Sequence, residues 1–154
     1  MVPVPFLENK PHDIGQDEVS ARLKIKRFAE TSSTKLKLQT VLWALENSRE
    51  KLTGSSHGSL QIYTDSQCVA GLLGRRAGLI NDDFFSRRSG RPLINALLYR
   101  TFYAAFDQLK FQLIKVSGHS RAYSHDTVQR IFSYVDREVR KALTLWLNPP
   151  PLPD

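Results

Sequence analysis

An α/β fold is predicted by three observations. Short apolar runs rich in β-branched and aromatic residues alternate with longer stretches of helical periodicity. One of these runs, Leu60–Asp65, ends in an acid and passes directly into Ser66 and a helical pattern. The chain's 154 residues, 41% hydrophobic and 24% charged, suit a globular domain able to bury a real core. We expect one domain over 1–147 and a Pro-rich tail over 148–154.

Taken in order, Val2–Leu7 is interrupted by Pro3 and Pro5, which remove donors on the same side, so the run is an edge strand or no strand. Lys10–Glu18 is polar, contains Pro11 and Gly15, and reads as a loop. In Val19–Ala29, Ala21, Leu23, Ile25 and Arg27 alternate with Arg22, Lys24, Lys26 and Phe28, which predicts a half-buried strand with a basic outer face. Hydroxyl residues Thr31–Thr34 suit a helix start, and Leu38, Val41, Leu42 and Leu45 predict an amphipathic helix over Lys35–Lys51. Thr53–Gly58 is a turn. Leu60–Asp65 is a buried strand; Ser66 is the helix N-cap that follows, with Val69, Leu72 and Leu73 at helical spacing.

Gly74–Pro92 reads as a basic, Gly-containing loop region. Ile94, Leu97, Leu98, Thr101, Phe102, Ala105 and Phe106 predict the next helix, and Phe111–Val116 a strand ending at Ser117-Gly118-His119. Arg121–His125 is a loop and Asp126 an N-cap. Val128, Ile131, Phe132, Val135, Val139, Ala142, Leu143 and Trp146 then mark a long amphipathic helix. Asn148–Asp154 cannot continue it and reads as a frayed tail. No internal repeat is visible.

Composition excludes several classes. No apolar run reaches the roughly 20 residues of a membrane span. The first ten residues lack the basic and apolar regions of a signal peptide. Cys68 is the single cysteine, which excludes an internal disulfide, suits a reducing cytoplasm and gives no zinc spacing with the scattered histidines. The net charge of +7 favours a polyanionic partner, most commonly nucleic acid, and neither a membrane nor a protein partner is implied. Arg75, Arg76, Arg87, Arg88 and Arg91 fall within seventeen residues, with Phe84 and Phe85 among them. Two readings stand for this segment. It tracks phosphates and offers rings for stacking, or it is a solvated loop whose two phenylalanines dock into the core.

Asp65 also has two readings. An acid at the carboxyl end of a buried strand is costly unless a cation meets it, which makes it a candidate metal ligand; alternatively it ends the strand and caps the next helix.

The order of strand, acid, helix, basic segment, helix, strand, Gly-His and acid-bearing helix resembles the ribonuclease H family over roughly Arg22 to Leu145. YTDSQ at Tyr63–Gln67 looks like the family's fourth-strand motif with its catalytic Asp, and KVSGH at Lys115–His119 like the loop bearing its mobile His. Asp136, in SYVDREVRKAL, matches the last catalytic Asp, and TSSTKLKLQTVLWALE at Thr31–Glu46 looks like the first helix. The wording is similar to a bacterial branch of the family.

The resemblance implies a mixed sheet flanked by helices and hydrolysis of the RNA strand of RNA/DNA hybrids with two Mg²⁺ (or Mn²⁺) ions. Clustered carboxylates would hold these hard cations, one activating water and the other stabilising the leaving oxygen. Asp65 and Asp136 are the implied catalytic metal ligands, and His119 would assist proton movement or product departure. Ser66 and Gln67 join the five arginines as implied nucleic-acid contacts. On a helical wheel Asp136 lies roughly 80° from the apolar stripe, a rim position that either reaches a cleft or pairs with Arg140 at i+4. Seen alone, His119 reads first as an ordinary loop histidine.

Two departures bear on activity. By the register of LKLQT the first helix's Glu is replaced by Lys37, a cation that cannot bind metal while protonated. Glu46 is no substitute, lying about 13.5 Å further along the helix on the opposite rim. The central first strand with its leading Asp is also missing, since Asp13, Asp17 and Glu18 fall in a loop or its edge. From this follows the expectation that Met1 is an internal or displaced start, and that Val19–Ala29 and Leu60–Asp65 are left with unpaired backbone. The expected function is therefore a ribonuclease H-like hydrolase impaired in this chain; the alternative is a non-catalytic nucleic-acid-binding module that keeps the basic surface.

Overall fold

The computed structural model describes residues 2–3, 15–29, 32–49, 60–116 and 127–153. These form a mixed α/β protein that is mostly helical, with a small parallel strand pair. In chain order the elements are β1 (Val2–Pro3), α1 (Gln16–Arg22), α2 (Ser33–Asn47), β2 (Gln61–Thr64), α3 (Gln67–Ala70), α4 (Leu72–Asn81), α5 (Ala96–Leu109), β3 (Gln112–Lys115) and α6 (Thr127–Leu147). The chain divides into two compact units, one spanning Arg27–Val116 and the other combining Val4–Lys26 with Ser117–Asp154.

The first unit is built on the parallel pair β2 and β3, in register from Gln61 opposite Gln112 to Thr64 opposite Lys115. The Gln112 and Val116 N–H groups donate to the Leu60 and Thr64 carbonyls at 2.9 and 2.8 Å. Parallel neighbours need a long crossover, and α3, α4 and α5 supply it. The two-residue β1 stands at the edge of the order β1-β2-β3, the position Pro3 tolerates. It sets two residues beside the four of β2.

Helical spacing decides which side chains line the core. From α2 come Leu38, Val41 and Leu45; from α4, Leu72; from α5, Tyr99, Phe102 and Tyr103. Ile62, Val69, Phe84 and Phe111 close it. Phe102 and Phe111 are fully buried and meet edge to face at 5.6 Å, with Phe106 on Phe111 at 5.3 Å. Lys110 ends α5 in the left-handed conformation, and this turn delivers Phe111 inward at the start of β3.

The expected loop over Gly74–Pro92 is corrected by α4, whose last eight residues fall inside it. Gly74 and Gly78 were the misleading signal. Both face open space, and burial of Leu72 with the packing of Leu73 and Leu79 against the core offsets a helical glycine's cost of about 1 kcal/mol each.

In the second unit α1 packs on α6, Val19 and Ile131 being buried with Phe132, Tyr134 and Val135 around them. The Val19–Ala29 strand is thus a second correction: its first four residues are helical and 23–28 are irregular. Asp17 and Glu18 in the first turn and Arg22 in the last complement the helix dipole, and Glu18 pairs with Arg22 at 3.1 Å. One apolar anchor, Val19, satisfies a short helix, whereas the alternating partners Ala21 and Ile25 remain exposed. Gln16 donates to Glu138 at 3.2 Å, tying the two helices further. Beyond Glu138 the α6 stripe of Val139, Leu143 and Trp146 is 39–49% exposed. No helix among the described residues is long and apolar enough to cross a membrane.

Candidate nucleic-acid interface

The end of β2 sets the local geometry. Thr64 is buried, and its Oγ1 accepts from the Ser66 N–H at 3.1 Å. The Ser66 hydroxyl in turn accepts from the Val69 N–H at 3.2 Å, capping α3. Ser66 is 5% exposed, so this side chain is committed to the cap rather than presented to a partner. The helix is therefore capped by Ser66 and not by Asp65, whose carboxylate is exposed at the carboxyl end of β2 and has no ion pair among the described residues. Gln67 beside it is exposed as well.

Lys37 is exposed in the first half of α2, a helix that starts with the Lys35 N–H donating to the Ser32 hydroxyl at 3.2 Å. Asp136 is exposed on α6 and takes Arg140 one turn on at 3.1 Å, the ordinary surface pairing. His119 and Asp126 lie outside the described residues. No group of three or more His, Cys, Asp or Glu able to hold a metal occurs among the described residues. Mg²⁺ or Mn²⁺ prefers several hard oxygen ligands at one point, and a lone Asp65 with Asp136 facing an arginine is not that donor set. The described residues do not fit the two-metal centre.

The arginine-rich segment is sorted by its partners. Arg76 grips Asp107 through both guanidinium nitrogens at 2.6 Å each and lies 5.2 Å from the Tyr103 ring centre. That hydrogen bond holds the Asp107 carboxyl below its usual range and raises Arg76. Arg87 donates Nε to Asp82 at 2.7 Å. Arg100, which charge clustering did not single out, pairs with Asp83 at 3.4 Å and lies 4.2 Å over the Phe84 ring. Arg75 packs over Tyr99 at 5.7 Å. Arg75, Arg88 and Arg91 are exposed and have no carboxylate partner among the described residues. Two of the five arginines are thus paired with a carboxylate, and the other three have none among the described residues.

The rings are sorted as well. Phe84 is buried at 6% exposure, docked into the core, while Phe85 is 42% exposed. Nothing in the primary structure distinguishes these adjacent residues; the turn that separates them is set by the positive φ of Asp83 and Phe84.

Comparison with protein families, with curated proteins and with solved structures finds no match to this chain.

Proposed function

We propose that this chain is a nucleic-acid-binding domain with a ribonuclease H-like layout, in which hydrolysis of the RNA strand of an RNA/DNA hybrid is impaired. The observation that carries the binding is the set of exposed arginines, Arg75, Arg88 and Arg91, on α4 and the loop after it, which have no carboxylate partner among the described residues. Guanidinium groups already neutralised by Asp107 or Asp82 offer a phosphate little; free ones displace its counterions. The parallel pairing of β2 with β3 and an exposed Asp65 at the β2 terminus support the layout. Lys37 on α2 and the Asp136–Arg140 pair support the impairment, because each puts a cation where the resemblance calls for metal-binding oxygen. The half-buried free thiol of Cys68 is in keeping with a reducing, cytoplasmic setting.

The test is a fluorescence-anisotropy titration of a labelled RNA/DNA hybrid with the wild type and with the Arg88→Ala/Arg91→Ala double variant. The reading expects wild-type binding at low salt that is weakened in the variant. Equal affinity of the two proteins would remove the arginines from the interface.

A further inference from the structure

The loop 82–93 holds its backbone by several contacts. The Phe85 N–H donates to Asp82 at 2.9 Å, the Ser86 N–H to Arg91 at 2.8 Å and the Leu93 N–H to Phe84 at 2.9 Å. Phe85 and Pro92 form an antiparallel bridge, and Arg87 ties the side chain of Asp82 at 2.7 Å. Asp83 and Phe84 both take left-handed φ values, 49° and 59°, a conformation L residues adopt only when the surroundings compensate. The compensation is visible: Phe84 enters the core, 6.4 Å from Tyr103, under the Arg100 guanidinium. The consequence is an aromatic ring at Phe85 turned to solvent on a backbone fixed at both sides.

Around that ring the chain carries Arg88 and Arg91, both exposed and without a carboxylate partner among the described residues. A fixed exposed ring with free guanidinium groups nearby in the chain matches the two needs of a single strand, a face for a base and charge for its phosphates. A blunt duplex hides its base faces in its own stack and offers such a ring only its two ends. We propose that Phe85 is a stacking point for an unpaired base, so that the chain prefers a single-stranded extension of a hybrid over the blunt hybrid. This rests on the nucleic-acid reading above and names the strand class that reading would favour.

The experiment compares three labelled RNA/DNA hybrids with identical paired regions: blunt, with a four-nucleotide single-stranded extension, and with the same extension made abasic. Wild type, Phe85→Ala, Phe85→Trp and Phe85→Leu are titrated with each, and thermal unfolding checks that every variant is folded. The wild type is expected to bind the extended hybrid more tightly than the blunt or abasic one. Phe85→Ala should lose about 5- to 150-fold in affinity for the extended hybrid, the usual effect of removing one stacking ring, and less for the blunt one, which presents only its two end faces. Phe85→Trp should retain the preference, and Phe85→Leu, which keeps apolar bulk without a π face, should lose it. Equal binding of all three hybrids, or a preference surviving in Phe85→Leu, overturns the stacking proposal and leaves nucleic-acid binding standing. No wild-type binding to any of them at low salt overturns both.

Discussion

Tyr103 of α5 gives a quantitative check on the first unit, because one atom can be removed there without disturbing the packing. Its side chain is buried, and its hydroxyl donates to the Leu72 carbonyl at 2.7 Å, joining α5 to the start of α4. In Tyr103→Phe the ring keeps its place against Phe102 at 5.7 Å and under Arg76 at 5.2 Å, while the hydrogen bond is lost. The net cost of such a loss is about 0.5–1.5 kcal/mol. For a unit of this size each kcal/mol lowers Tm by about 4–8 °C. By contrast Phe102→Ala, which empties the centre of the same core, should cost about 3–5 kcal/mol, much of a small domain's stability.

The same residue has a signature in pH. Burial raises the Tyr103 phenol above its ordinary value, and the opposing pull of Arg75 and Arg76 is smaller. The folded protein therefore keeps the neutral phenol after the unfolded chain has ionised. The contribution is intact below about pH 10 and is lost as pH rises through the raised folded value. Melts of wild type and Tyr103→Phe by circular dichroism, at pH 7 and in steps above pH 10, should give a gap that narrows as pH rises. A gap of zero at pH 7, or one that widens with pH, would refute the buried hydrogen bond.

Replacing the capping hydroxyl in Ser66→Ala should lower stability by about 1 kcal/mol in a denaturant melt while leaving hybrid affinity unchanged, since the side chain faces inward. Asp107, held low by its hydrogen bond from Arg76, contributes stability that is full above the ordinary carboxylate range and is lost as pH falls through its depressed folded value. Asp107→Asn should accordingly be less stable than wild type near neutral pH and show a smaller loss on acidification, read by melts from pH 7 down to pH 3. Cleavage of hybrid with Mg²⁺ or Mn²⁺ should be weak or absent; vigorous cleavage that disappears in Asp65→Asn would show that the impairment is misjudged. Asp136→Asn should change stability by no more than about 0.5 kcal/mol, as expected for an exposed pair one helical turn apart.

The long elements were legible because their burial repeats with the helix period. Leu38, Val41 and Leu45 on α2 and Phe102 with Phe106 on α5 project inward as their spacing requires. The strand pair was legible from its β-branched and aromatic composition and from the turn residues that bound it. Weak alternation misled at Val19–Ala29, where a single anchor and an i,i+4 ion pair suffice for a short helix. Glycine misled at Gly74 and Gly78, whose cost is local while the burial of Leu72 is tertiary. The candidate interface was half legible. Clustering located the arginines, but the acid that neutralises Arg76 lies 31 positions away, and no local pattern announces such a pair. The i+4 partner of Asp136 was readable because helical spacing alone sets it.

The central claim, binding of nucleic acid through free arginines, is tested most directly by the salt dependence of hybrid affinity. Log affinity plotted against log salt should be linear, with a slope of about −0.9 for each phosphate neutralised. If Arg75, Arg88 and Arg91 each meet one phosphate, these three together give about −2.7, and the Arg88→Ala/Arg91→Ala variant should flatten the slope by about 1.8. A hybrid that stays unbound at low salt, or whose affinity does not change with salt, would contradict the account.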